Sequence, residues 1–171
     1  MTPTTSARRR GPVPGTVALV LFLVPLLPAS AETFLIAVTE TEDGTPCRAP
    51  LAAREGILAA LFDDGHIAFE VSAGEPVPGT DALRTMAIEA GAGTVAVIVV
   101  DWHREQISGG ATRIRARGSI ALVDVASGLG RPGIPFEVRN DGRERTADRP
   151  LLGREIGSAL VEACRASSAA R

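Results

Sequence analysis

From Val95 to Val100 every position is apolar and most are β-branched, opened by Gly91 and Gly93 and closed by Asp101. Such a run predicts a strand buried on both faces, and the rest of the chain must supply the cover. Phe34–Glu40 and His66–Val71 read as two further strands. Between them Leu51, Ile57, Leu58, Leu61 and Phe62 recur near i, i+3, i+4. That spacing predicts a helix over Pro50–Asp64, stopped by Gly65. Residues 41–49 read as a loop with an Asp43-Gly44 turn signal. After a Gly/Pro-rich loop at 73–80, Asp81 is placed as the cap of a second helix reaching about Ala90, with Leu83, Met86, Ala87 and Ala90 on one face.

Beyond the central run, Trp102–Thr112 is polar and holds Gly109-Gly110, which predicts a turn or a long hairpin loop. In the strand expected over Arg113–Val125, Arg113, Arg115 and Arg117 alternate with Ile114, Ala116 and Gly118. Ile134–Val138 reads as a short strand, which Pro132 and Pro135 mark as a sheet edge. A charged loop (140–149) leads to a closing helix from Pro150 to about Ala166, with Leu151, Leu152, Ile156, Leu160, Val161 and Cys164 turned inward. Residues 167–171 form a small polar tail expected to be flexible. The order β-α-β-α-β-β-β-α predicts parallel crossovers followed by a meander. The fold class is therefore α/β: a single domain over 32–166 with a mixed β-sheet flanked by helices.

The first thirty-one residues stand apart. Arg8-Arg9-Arg10 precedes an apolar stretch, Val17–Leu27, and Ala29-Ser30-Ala31 has the small-x-small form of a cleavage site. Residues 1–31 are read as a secretory signal peptide cut between Ala31 and Glu32. The apolar stretch is short for a membrane span, and Pro25 and Pro28 interrupt its end. The expected location is periplasmic or secreted, with no stable membrane span after signal removal.

Composition narrows the chemistry. The arginines at 8–10 supply three positive charges and no acid precedes Glu32, so the remainder is more acidic than the overall charge of −2. An acidic domain lacks the basic footprint of a nucleic-acid binder, and no nucleic-acid partner is expected. The chain has no Lys, which removes a P-loop lysine, a Schiff base and a Ser-x-x-Lys nucleophile. It has no Tyr and one Trp, Trp102, a poor set for a sugar-stacking groove.

Four features are candidate sites. Cys47 and Cys164 are the only cysteines, and in an exported chain they suggest a disulfide. In the chain-entropy model it would contribute about 4–5 kcal/mol; the other reading is one buried small hydrophobe and one exposed thiol. Asp101, His103 and Glu105 follow the central strand, where α/β sites gather. A metal or acid–base role there stands against a solvated loop, and a single His does not define a zinc site. Gly128–Gly133 matches G-x-G-x-x-G by letter, but Pro132, Pro135 and a strand follow where a helix is required, so it reads as a turn. Arg113, Arg115 and Arg117 could meet an anionic partner or lie solvated beside acids.

The stretch Ala90–Val100 together with Ala121-Leu122-Val123-Asp124-Val125-Ala126-Ser127-Gly128 resembles a pattern in bacterial envelope proteins, in which a Gly-containing turn enters an apolar strand and a later strand ends in Leu-Val-Asp-x-x-x-Gly. The helix Ala53–Phe62 leading into Asp64-Gly65-His66-Ile67-Ala68-Phe69 suits the same pattern. The chain thus resembles the α/β domain shared by the TolB N-terminal region, the CsgG curli-secretion family and LpoB-like activators of penicillin-binding proteins. It departs from them in lacking a lipoprotein cysteine and membrane-spanning insertions. The resemblance implies an envelope setting and action by protein–protein contact, with no catalytic residues and no cofactor. The expected function is a non-enzymatic exported domain that binds another envelope protein, with Ile134–Val138 as the edge that pairs. The alternative is a small periplasmic ligand-binding protein or enzyme using residues 101–105.

Overall fold

The structure, a computed structural model, describes residues 31–47, 52–71 and 77–169. Apart from Ala31, the signal segment lies outside the described residues, as do Leu51 and part of the Gly/Pro loop. The elements are β1 (Thr33–Glu42), β2 (Thr45–Pro46), α1 (Ala52–Asp63), β3 (Ile67–Glu70), α2 (Thr80–Ala90), β4 (Thr94–Gln106), β5 (Thr112–Asp124), β6 (Ile134–Arg139) and α3 (Asp148–Ala169). One six-stranded mixed sheet runs β2-β1-β4-β5-β6, with β3 pairing β1 on the same side as β2. β1 is parallel to β3 and β4, while β4, β5 and β6 form an antiparallel meander, as the element order predicted.

Two layers of unequal extent cover this sheet. On one face Phe34, Ile36, Ala96, Ile98, Val100, Trp102, Ile114 and Ile120 pack under α1 and α3. On the other, α2 covers only one end, where Leu83 and Ala87 meet Leu35, Ala37, Val95 and Val123. The central strand is therefore buried on both faces only at its start. Val99, expected to be enclosed, is 42% exposed because no helix reaches it.

The predicted loop over 102–112 is the far half of a hairpin. β4 continues through Gln106, a 3₁₀ turn spans Ser108–Gly110, and β5 begins at Thr112. Cross-strand neighbours explain the extension: Glu105 lies opposite Arg113 and His103 opposite Arg115, so charges that read as loop are face-up strand residues. β5 runs so close to β4 that a Cβ on Gly118 would stand 1.8 Å from the Val99 carbonyl oxygen, and the Phe136 ring covers the vacant position.

Glycine also sets the helix pair. A Cβ on Gly56 would lie 2.0 Å from the Pro150 carbonyl oxygen, and one on Gly153 would lie 2.3 Å from that of Ala53. The α1 and α3 backbones touch, which only glycine permits. Other expectations need correction. Asp81 lies in the first turn of α2, and Gly79 is its N-cap, with no side-chain bond. Phe62 and Leu151 are exposed, each on the outer side of its helix. α3 starts at Asp148 and continues through Ala169, into the stretch expected as a flexible tail. Asp148 accepts from the Arg145 N–H and from Asn140 Nδ2, and so closes the approach to that helix.

Candidate functional site

Past the edge of α2, the open face of the sheet carries the odd-numbered residues of β4 and β5. Asp101, His103 and Glu105, expected in a loop, stand on this face as consecutive outward positions of β4. Two of them meet. His103 Nε2 lies 2.9 Å from Asp101 Oδ2, and its Nδ1 lies 2.8 Å from Asp43 Oδ1 in the β1–β2 turn. Asp43 takes a left-handed φ of 48° there, so the turn signal read from Asp43-Gly44 is real. Asp101 Oδ1 accepts from the Thr41 hydroxyl and from the Gly44 N–H. These bonds, Thr41 first, hold the Asp101 carboxyl below its usual range. The cluster ties the β1–β2 turn to β4.

Glu105 turns the other way. It lies 2.6 Å from Arg113 and 2.9 Å from Arg115, and the Arg113 bond leads in lowering its carboxyl. Glu137 on β6 meets Arg115 at 3.6 Å and Arg117 at 2.9 Å. The three arginines thus run through a ladder of acids across β4, β5 and β6, which supports the acid-paired reading over a bare cationic patch. Among the described residues no group of three or more His, Cys, Asp or Glu is placed to hold a metal ion.

Surface clefts among the described residues lie elsewhere. One of about 500 Å³ runs between α1 and α3, lined by Asp63, Asp64, Arg154 and Arg165 among others. Its charges are used internally, Arg154 on Asp63 and Arg165 on Asp64. A smaller one, about 190 Å³, lies between the end of β6 and the start of α3. Neither is lined by Asp101, His103 or Glu105. Gly128–Gly133 forms a turn with Gly128 at φ 70°, and Gly130 bridges back to Val123, as expected.

Sequence reasoning missed Glu40. It is 4% exposed, on the helix face of β1. Its Oε1 accepts from the Ala53 N–H at 3.0 Å, in the first turn of α1, and its Oε2 accepts from Trp102 Nε1 at 2.7 Å. The carboxylate thus accepts from amides in the first turn of α1, as a capping acid does. Burial nonetheless pushes its pKa above the ordinary value. The signal was present in the alternation: Phe34, Ile36, Val38 and Glu40 share one face of β1. Arg149 stacks over the Trp102 ring at 5.1 Å and bonds Glu42.

The suggested disulfide is absent: no bond joins Cys47 to Cys164. Cys47 sits beside Arg149 at the start of α3, whereas Cys164 is four turns along that helix. At 1.5 Å per residue the separation is about 22 Å, far beyond disulfide reach. Burial pushes the Cys164 thiol up to about 11, as suits a small core hydrophobe.

Among the described residues, β6 and β3 each present an edge with no partner strand. On β6, Asn140 N–H bonds the Ile114 carbonyl, which fixes the parity of the ladder. Ile134, Phe136 and Val138 face β5 with their amides, and Pro135, Glu137 and Arg139 face outward. Pro135 therefore costs the ladder no donor, and β6 is the edge its prolines predicted. β3 forms the opposite edge, with Ile67 49% and Phe69 45% exposed.

No protein-family model matches the chain. No curated protein matches it. Solved structures do. The PelC dodecamer from Paraburkholderia phytofirmans is 11% identical, with a TM-score of 0.52 over 74% of this chain and 86% of that one. The hypothetical protein CT253 from Chlamydia trachomatis is 12% identical, with a TM-score of 0.50 over 82% of this chain and all (100%) of that one. The LpoB C-terminal domain from Salmonella enterica is 15% identical, with a TM-score of 0.47 over 66% and 87%. At these identities the likeness is one of fold.

Proposed function

We propose that this chain is an exported envelope domain that works by binding another envelope protein and not by catalysis. The observation that carries the reading is the shape of the sheet: among the described residues, two edges without a partner strand and a face that α2 covers only at one end, with its titratable groups spent on one another. A strand edge recognises an extended segment through main-chain bonds, with alternate side chains supplying selectivity. Catalysis would ask for a recess with converging groups, and the His103 cluster lies on an open strand face. Among the described residues no helix is long and apolar enough to cross a membrane, and export rests on the reading of residues 1–31 as a signal peptide.

The test is a crosslinking pull-down of the tagged protein from its own envelope fraction, read by mass spectrometry. One or a few reproducible envelope partners are expected. The β6 edge is then probed at the residue whose amide faces outward: Glu137→Pro removes that donor, and Glu137→Ala controls for the lost ion pair with Arg117. Loss of the partner in the first variant and its retention in the second is expected. A preparation that captures nothing overturns the reading and directs attention to small ligands.

A further inference from the structure

The second edge has a chemistry of its own. β3 and its preceding residue read His66-Ile67-Ala68-Phe69-Glu70. Turned end for end, its apolar-small-apolar centre maps onto itself while the two polar ends exchange. The hydrogen bonds show which groups of this strand have no partner among the described residues. Ile67 N–H bonds the Glu32 carbonyl and Val71 N–H bonds that of Ile36, so the odd-numbered amides face β1. Ala68 and Glu70 therefore point their N–H and C=O groups away from the sheet. The His66 amide is engaged with the Leu61 carbonyl, which leaves its own carbonyl outward.

We propose that β3 pairs with β3 of a second copy, antiparallel, about a two-fold axis at Ala68. In that register Ala68 of each copy exchanges two hydrogen bonds with its mate. Each Glu70 N–H donates to the other copy's His66 carbonyl, and the engaged His66 amide is not needed. Ile67 of one copy lies directly opposite Phe69 of the other, in the closer class of cross-strand pair, on the face where both are half exposed. On the opposite face His66 of one copy lies opposite Glu70 of the other. Each keeps its own partners, His66 the Glu32 N–H and Asp64, and Glu70 the Arg54 guanidinium at 3.0 Å, so the pairing sets no like charges together. A parallel arrangement would instead set Glu70 against Glu70. The contact is isologous, closes on itself and extends the sheet across two chains. It uses the edge opposite to β6 and stands independently of any envelope partner.

Sedimentation of the full exported chain from micromolar to millimolar concentration tests this, together with two variants. Wild type is expected to pass from monomer to dimer across that range. Phe69→Glu, at an exposed position, is expected to weaken the dimer by at least about tenfold in Kd with the melting temperature of the monomer unchanged. Ala68→Cys places two thiols across the axis, with Cα atoms about 5.5 Å apart, within disulfide geometry. Mild oxidation is expected to yield a dimer whose peptide map shows the two introduced thiols joined. A wild type that stays monomeric throughout, a dimer or larger ring indifferent to Phe69→Glu, or an introduced thiol that links elsewhere would each overturn the proposal.

Discussion

Glu40 shows what one residue contributes. It accepts bonds from α1 and from Trp102 while sitting out of water, so capping and desolvation pull its protonation in opposite directions. Burial wins. The folded chain holds the Glu40 proton to a higher pH than the unfolded chain does, so its contribution is fully present at acid pH. It is lost as pH rises from the ordinary Glu range through the raised value. Thermal melts of wild type and Glu40→Gln between pH 4 and pH 7 should therefore differ in slope: wild type loses stability relative to the variant as pH increases. Parallel curves would show that Glu40 titrates as it does in the unfolded chain. Asp101 and Glu105 act in the opposite sense, since their lowered carboxyls lose stabilisation as pH falls, and comparison with the variant cancels them.

Among the elements, the helix pair is the most constrained. Gly56, Gly153 and Gly157 let α1 and α3 meet backbone to backbone over the sheet. Gly153→Val should destabilise the fold by about 3 kcal/mol or more, since overpacking by a rigid branched side chain drives the helices apart; urea unfolding measures it. Gly142, with open space around its Cβ, should tolerate Ala within about 0.5 kcal/mol. The elements are also where sequence legibility divides. Apolar runs such as Val95–Val100 declare strands by composition, and the order of strands and helices follows from them. Trp102–Gln106 did not declare itself, because its charges find partners only on β5, which no local window contains. The same holds for Glu40, whose partners are 13 and 62 residues away. A disulfide inferred from cysteine count failed for a related reason: an even number of cysteines says nothing about how far apart the fold sets Cys47 and Cys164.

For the whole molecule, stability should be graded from the centre of the sheet outward. β4 is bonded along both sides, to β1 and to β5, and lies over the larger core. Amide hydrogen exchange should be slowest from Val95 to Val100 and close to the rate of global unfolding there. Ala68 and Glu70, facing outward, should exchange orders of magnitude faster in dilute protein and slow markedly at concentrations where the β3 edges join. Uniform exchange across the sheet would contradict this grading.

The strand order carries one more consequence. Each strand in a twisted sheet is turned by about 20–25° from its neighbour, and four steps separate β3 from β6, so the two outer edges differ in direction by about 80–100°. A segment seated along one edge therefore runs nearly at right angles to a segment seated along the other. Engaged at both, the domain is a corner bracket: it changes the heading of whatever it joins and cannot serve as a plank in a straight row.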